Sequence, residues 1–204
     1  MLTLLLVLRV AAHVPVDYSP CSHRPDEPGP PRDPAQQEAA RADIRAVVAE
    51  LGGSEAFARY LIAVATRESS LRPGVIHVGD ADAYTAAYRH KHRAHQRAGN
   101  PFADRPELWL SYGLFGLNSN YYTRVLHPHA DPRQLCSVRV SIATYALAAQ
   151  GVLRRLPRAC GIRRPTWADV HRAIQGGDLC PDGGRERIPG AIAAARVRLA
   201  DVGG

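Results

Sequence analysis

The stretch that decides the fold is "YLIAVATRESSLRPG", Tyr60 to Gly74. Apolar residues recur at helical spacing through it and predict one buried helix face, formed by Phe57, Leu61 and Val64. The next position on that face is Glu68. The proline and glycine that close the stretch stop the helix, so Glu68 falls in its last turn. The pattern therefore predicts a carboxylate on the core-facing side of a helix end.

A carboxylate in that position tends to keep its proton. Burial raises its pKa, and the negative end of its own helix acts in the same direction. Both effects would hold Glu68 protonated near neutral pH, as a general acid requires. In the alternative, structural interpretation, Glu68 turns out to solvent or pairs with Arg67 or Arg72. The helix alone does not decide between the two.

Helix signals also flank this stretch on both sides. The Glu68 helix has Ser54 as its N-cap, and a helix before it begins at Asp33-Pro34 and ends at Gly52-Gly53. A third helix is expected from about Gln134 to Leu156, stopped by Pro157. A fourth begins at Thr166, paired with Asp169, and ends at Gly176-Gly177. A fifth begins at Pro189 and carries Ile192, Ala195 and Leu199. No clear alternating strands or repeats are visible, so the fold class is mainly α, or α+β at most.

The chain of 204 residues is long enough for one ordinary core. Residues 1–13 resemble a truncated signal segment, too short to span a bilayer, although a buried strand or helix is the alternative. Residues 14–34 are rich in proline and predict an extended linker. Residues 35–204 form the predicted single domain, with a His-rich insertion at about 75–105.

The net charge of +7 comes from 25 arginines and one lysine against 19 acidic residues. Such a charge favours an anionic partner, such as cell wall, nucleic acid or a membrane surface. A nucleic-acid-binding protein would concentrate its arginines on one helix or loop. Here they are spread from Arg9 to Arg198, so a solvated basic surface is favoured and nucleic acid is not an expected partner.

Four cysteines, an even number, suit an oxidising compartment and therefore export to the periplasm or the exterior. None has C-x-x-C spacing, which disfavours a zinc ribbon. An unbroken helix would hold Cys136 and Cys160 about 30 Å apart, too far for a disulfide. We therefore expect a Cys160–Cys180 bond, with Cys21 free or paired with Cys136.

The insertion is the one segment that suggests a metal site. Its candidate ligands are His77, Asp80, Asp82, His90, His92 and His95. Because no fixed metal-binding pattern such as H-E-x-x-H is present, a solvated helix–loop insertion is favoured. No metal ligand set is predicted.

Four motifs resemble those of the lysozyme-like superfamily, in the same order. "RESSLRPG" resembles the E-S-x-x-x-P signature of soluble lytic transglycosylases and goose-type lysozymes. "SYGLFGLNSNYY" (Ser111–Tyr122) is similar to their G-L-M-Q-I-N strand-turn and to D-Y-G-I-F-Q-I-N-S-R-Y of animal-type lysozymes. "DPRQLCSVRVSIATYALAAQGVLRRL" (Asp131–Leu156) resembles the D-P-x-x-N-x-x-x-G-x-x-Y-L helix, and "WADVHRAIQGGD" (Trp167–Asp178) the A-Y-N-A-G turn. The resemblance covers residues 54 to 200.

This resemblance implies a single helical domain with a substrate groove, and a lytic transglycosylase that cleaves the MurNAc-GlcNAc β-1,4 bond of peptidoglycan without a cofactor. Glu68 would be the catalytic acid and base. The implied substrate-binding residues are Ser69, Ser111, Tyr112, Gly113, Leu114, Phe115, Asn118, Ile174 and Gln175. Tyr112 and Phe115 could equally be core residues, and the His-rich insertion would form a lid or wall beside the groove.

The sequence departs from the superfamily at positions that matter for chemistry. Gly116 replaces the glutamine of the strand-turn, Ile174 and Gln175 replace the tyrosine and asparagine of A-Y-N-A-G, and Ser111 replaces the aspartate before Tyr-Gly. Two alternatives therefore stay open: a lysozyme-type hydrolase, and a glycan-binding or assembly protein of the same fold with weakened catalysis.

Overall fold

The computed structural model describes residues 33–77, 110–119, 131–176 and 188–203, together with Cys21, residues 96–97, Gly99 and residues 179–180. The expected signal segment, nearly all of the linker and most of the His-rich insertion lie outside the described residues. The described part is mostly helical with one small sheet, which confirms the mainly α class.

The helices are α1 (Pro34–Glu50), α2 (Glu55–Ser69), α3 (Val138–Cys160), α4 (Trp167–Gly176) and the single turn α5 (Gly190–Ala193). Two 3-10 helices span Pro132–Cys136 and Leu199–Asp201. The strands β1 (Ile76–His77), β2 (Ser111–Tyr112) and β3 (Leu117–Asn118) form an antiparallel sheet in the order β1-β2-β3. Within the described ranges, no helix combines the length and apolar character needed to cross a membrane.

Three of the predicted helix starts, at Asp33, Ser54 and Thr166, are confirmed by their capping bonds. Asp33 accepts a hydrogen bond from Ala35 N at 2.9 Å, and Ser54 Oγ accepts one from Phe57 N at 3.2 Å. At the start of α4, Asp169 Oδ2 accepts from Thr166 N at 2.7 Å while Asp169 N donates to Thr166 Oγ at 3.4 Å. These side chains satisfy backbone donors that an uncapped helix leaves open.

Aromatic rings join the helices to one another and to the sheet. The ring of Trp167 in α4 stacks on Tyr60 and Phe57 of α2, with centroids 4.5 and 5.5 Å apart. Phe115, in the turn between β2 and β3, packs on Tyr145 of α3 at 5.1 Å. The hydroxyl groups of Tyr60 and Tyr145 share a buried hydrogen bond of 2.6 Å. The β2–β3 turn is thus fixed relative to the end of α2, which carries Glu68.

The third predicted helix differs from the structure at both ends. Residues 132–136 form a 3-10 helix, so α3 begins at Val138 rather than at Gln134, and Pro157 does not stop it. The helix runs on to Cys160 and closes at Gly161, whose φ of 68° is left-handed and whose N–H bonds to Leu156 O. Pro157 lies on the exposed face, while Leu156 beside it is fully buried. The missing donor is tolerated because the buried face and the glycine cap secure the last turn.

The last predicted helix is also wrong beyond its first turn. After α5 the chain pairs with the segment before α4: Ala195 O accepts from Trp167 N at 3.3 Å, and Val197 N donates to Pro165 O at 3.2 Å. These bonds engage backbone groups that a continuing helix would use for itself. Leu199, predicted on the apolar stripe, is 39% exposed.

All four cysteines are joined in two disulfides. Cys160 is bonded to Cys180, as predicted, and Cys21 is bonded to Cys136, which selects one of the two alternatives for Cys21. The first bond ties the end of α3 to the chain beyond α4. The second attaches a residue of the linker to the 3-10 helix that precedes α3.

Candidate functional site

Glu68 lies half-buried in the last turn of α2, as the sequence predicts. Two non-glycine residues in the left-handed region follow this helix: Ser70 at φ 54° and Leu71 at φ 62°. That conformation costs a non-glycine residue about 1–2 kcal/mol, and burial of the Leu71 side chain, 2% exposed, offsets it. Strained backbone of this kind clusters at functional sites, and here it begins two residues after the glutamate.

Ser69 stabilises the end of α2. It is buried, and its hydroxyl donates to Ala65 O at 3.0 Å and accepts from Arg72 N at 3.3 Å. Arg72 Nε also donates to Ser69 O at 3.0 Å. The Ser69 hydroxyl, which the resemblance implies as a substrate contact, is thus engaged within the helix end.

The β2–β3 turn, from Gly113 to Gly116, faces the end of α2. Gly113 adopts φ 73°, and a Cβ there would lie 2.2 Å from Leu135 O, so no other residue fits. Its N–H donates to Val75 O at 2.8 Å, which attaches the turn to the residue before β1. The turn is therefore held both by the sheet and by the chain that precedes α3.

The expected substrate-binding residues of this hairpin divide by burial. The side chains of Tyr112, Leu114 and Phe115 are at most 1% exposed and form part of the core, which is the alternative foreseen for Tyr112 and Phe115. Ser111 is also buried, at 6%, whereas Asn118 is half-buried. A ligand at this hairpin would meet its backbone, Asn118 and the open face of Gly116 rather than the buried side chains.

The two expected residues of α4, Ile174 and Gln175, are half-buried. Ile174 packs against the core. Gln175 Nε2 donates to Phe115 O at 3.0 Å, so α4 is bonded to the β2–β3 turn. Gln175 therefore positions the turn through the backbone of Phe115.

Glu68 and His77 converge over Gly116. An ideal Cβ on Gly116, whose φ is 57°, would lie 3.8 Å from Glu68 Oε2 and 3.6 Å from His77 Nε2. The carboxylate thus points at the turn, which brings residues of the first two superfamily-like motifs together. The same Nε2 lies 3.5 Å from Gly113 O, at the long limit for a hydrogen bond.

His77 is the site residue that the sequence reasoning missed, because it was grouped with the histidines of the insertion. Burial lowers its pKa; a hydrogen bond with Gly113 O raises it, and the charge of Arg72 lowers it. The net shift is downward, so the ring is neutral at pH 7. The apolar pair Val75-Ile76 before His77 was the available signal for a short strand entering the site.

Among the described residues, no three His, Cys, Asp or Glu side chains come close enough to hold a metal ion. The insertion's other candidate ligands, Asp80, Asp82, His90, His92 and His95, lie outside the described residues, so its expected lid or wall stays a prediction.

The chain matches no protein-family model, no curated protein and no solved structure. A proposal for its function depends on its own residues and contacts, together with the motif resemblance.

Proposed function

We propose that this protein is a lytic transglycosylase that cleaves peptidoglycan glycan strands, with Glu68 as its single acid and base. The observation that carries the proposal is the half-buried Glu68 carboxylate, which reaches from the end of α2 to the space over Gly116. The motifs that resemble the lysozyme-like superfamily supply the substrate class.

The proposed reaction needs one carboxyl group. Protonated Glu68 donates its proton to the glycosidic oxygen of the MurNAc-GlcNAc bond, the C1–O4 bond breaks, and the leaving sugar departs with a hydroxyl at C4. The acetamido group of the MurNAc sugar stabilises the positive charge at C1. The Glu68 carboxylate then accepts the proton of the C6 hydroxyl as O6 bonds to C1. The product is a 1,6-anhydro sugar, and no water is consumed.

The choice of a transglycosylase over a hydrolase depends on whether a second carboxylate lies across the glycosidic bond from Glu68. Inverting and retaining hydrolases use an Asp or Glu across the bond, to activate water or to act as nucleophile. The motif position for that group holds Ser111, which can do neither and is buried. Asp80, Asp82 and Asp104 lie outside the described residues, and the hydrolase alternative would depend on them.

The deciding experiment is mass analysis of the products released from purified peptidoglycan. We expect anhydro products, lighter by one water than reducing-end products. Glu68→Gln keeps the shape but cannot give and reclaim a proton, so the rate should fall by at least ~10². Glu55→Gln, at the exposed start of the same helix, is the matched control and should keep the parental rate.

Two outcomes would contradict parts of this account. An active Glu68→Gln enzyme would remove Glu68 from catalysis. Reducing-end products that disappear when Asp80, Asp82 or Asp104 is replaced would make the protein a hydrolase.

A glycan-binding or assembly protein is the second candidate. The bare turn at Gly116 and the aliphatic Ile174 favour it, because both positions lack the polar side chains of the superfamily motifs. Retention of the wild-type protein on peptidoglycan, with no product from prolonged incubation, would establish this candidate in place of the enzyme.

We further propose that the protein is exported to the periplasm or the exterior and acts at the cell envelope. Its two disulfides form in oxidising compartments, and the proposed substrate lies there. Fractionation of producing cells tests this, and cytoplasmic protein with reduced cysteines would contradict it.

A further inference from the structure

His77 occupies the last position of β1, where the backbone fixes its place. It pairs with Ser111 of β2 in antiparallel register, and the residue two before it, Val75, accepts the Gly113 N–H. These attachments leave the imidazole little freedom beyond rotation about its own side-chain bonds. The half-buried ring is presented to the β2–β3 turn.

Gly116 leaves a gap lined by two polar side-chain atoms. A Cβ on this residue would be in ordinary contact with His77 Nε2 at 3.6 Å and with Glu68 Oε2 at 3.8 Å. A methyl-sized space over Gly116 is therefore in reach of both the imidazole and the carboxyl group, and glycine contributes no side chain to fill it. An oxygen of a ligand that enters this space comes within contact distance of a carboxyl oxygen and of a ring nitrogen.

The charge of His77 decides what it can do beside Glu68. Polar groups of the described residues near it include Glu68 from α2, Arg72 from the following loop, the Gly113 carbonyl from the turn and Ser111, its partner on β2. A cationic ring would favour the ionised form of Glu68 and so remove the proton that the acid must give. In the neutral ring, Nε2 carries the hydrogen that it directs at Gly113 O over the long distance of 3.5 Å. A ligand oxygen that comes closer than this carbonyl can accept that hydrogen without the effect of a charged ring.

We propose that His77 is a second substrate-binding residue of this site, whose Nε2 bonds an oxygen of the glycan over Gly116 while Glu68 transfers the proton. This inference rests on the proposed function for its substrate. The oxygen belongs to a hydroxyl or acetamido group of a sugar beside the cleaved bond. A contact made equally in the bound substrate and in the transition state lowers KM and leaves kcat nearly unchanged.

Binding is measured first, without turnover, in the Glu68→Gln protein. The probe is purified peptidoglycan glycan strands, and the comparison adds His77→Ala or His77→Gln. Loss of one hydrogen bond should weaken binding about tenfold in His77→Ala. His77→Gln keeps an N–H donor and should recover part of that loss. In the enzyme with Glu68 intact, His77→Ala should raise KM by about the same factor at nearly constant kcat.

Arg59→Ala, on the exposed face of α2, is the control and should bind as the parent does. Binding by His77→Ala as tight as that of the parent overturns the inference. The inference is also overturned if both His77 variants lose binding equally and lose thermal stability to a matching extent. That result would show that His77 has a structural role. An active Glu68→Gln enzyme contradicts the proposed function but leaves the binding comparison intact, whereas a parent that does not bind the strands contradicts both.

Discussion

At the scale of single residues, the end of α2 depends on contacts around Glu68. The Ser69 hydroxyl donates a hydrogen bond to Ala65 O. The buried Leu71, two residues later, adopts a left-handed backbone conformation. Gly116 leaves room between the carboxylate and His77. Substitutions here should change chemistry or binding more than they change the fold, except at Ser69 and Leu71, whose contacts are structural.

The lowered pKa of His77 predicts a pH dependence of stability. The folded protein keeps this ring neutral at pH values where the unfolded chain, with a pKa near 6.5, already protonates it. Its contribution is therefore complete above pH 6.5 and declines as the pH falls below that value. His77→Gln should lose less stability than wild type between pH 7 and about pH 5.

The free energies of unfolding of wild type and of His77→Gln are measured by urea denaturation at pH 7 and about pH 5. Because both proteins carry the same other histidines, the difference between their losses of stability reports on His77 alone. Identical losses in wild type and variant would contradict the prediction.

At the scale of elements, α4 depends on its first turn. Burial alone would raise the pKa of Asp169, but the backbone and hydroxyl of Thr166 and the guanidinium of Arg172 bond its carboxylate, and the net shift is downward. The same helix supplies Trp167 to the core and Gln175 to the β2–β3 turn. The reciprocal hydrogen bonds between Thr166 and Asp169 form a capping box. This capping box supports both the packing of α4 and the positioning of the site.

Asp169→Ala removes this capping bond and the ion pair with Arg172, which is 2.7 Å long. We expect a loss of about 1 kcal/mol in the free energy of unfolding at pH 7, measured by urea denaturation. Because the pKa of Asp169 is depressed, its contribution is present above pH 3.8 and disappears as the pH falls through the lowered value. Asp43→Ala, an exposed position in α1, should change stability little; an equal loss there would show that the capping box is not the cause.

At the scale of the whole molecule, two covalent links join distant parts of the chain. Cys21–Cys136 closes a loop of sequence separation 115, and Cys160–Cys180 one of 20. Such links reduce the conformational freedom of the unfolded chain. They support a domain whose helices also meet through shared aromatic rings.

Replacing Cys160 and Cys180 together by serine should destabilise the fold by about 3 kcal/mol. For a chain of this length that corresponds to a fall in Tm of roughly 6–12 °C. Thermal denaturation followed by circular dichroism measures it, with wild type in reductant as the comparison. An unchanged Tm in the variant, or in reduced wild type, would show that the bond does not stabilise the folded domain.

Much of the helical framework could be predicted from the sequence because its signals are local. Asp33, Ser54 and the Thr166–Asp169 pair mark helix starts through bonds to residues two or three positions away. The position of Glu68 in the last turn of α2 follows from the apolar spacing before it. The same local signals mislead at Pro157 and after α5, where the buried face of α3 and pairing with residues 165–167 override them.

The sequence by itself determined that Glu68 would lie in the last turn of a helix and that cysteines would pair, and the resemblance implied a strand-turn within Ser111–Tyr122. Only the tertiary structure decided that His77 faces Glu68 across Gly116, that Tyr112, Leu114 and Phe115 are core residues, and that Gln175 holds the turn. The strands have two residues each, too short for alternation to reveal them. Contacts between residues far apart in the chain depend on how the elements pack, because no local pattern of residues encodes them.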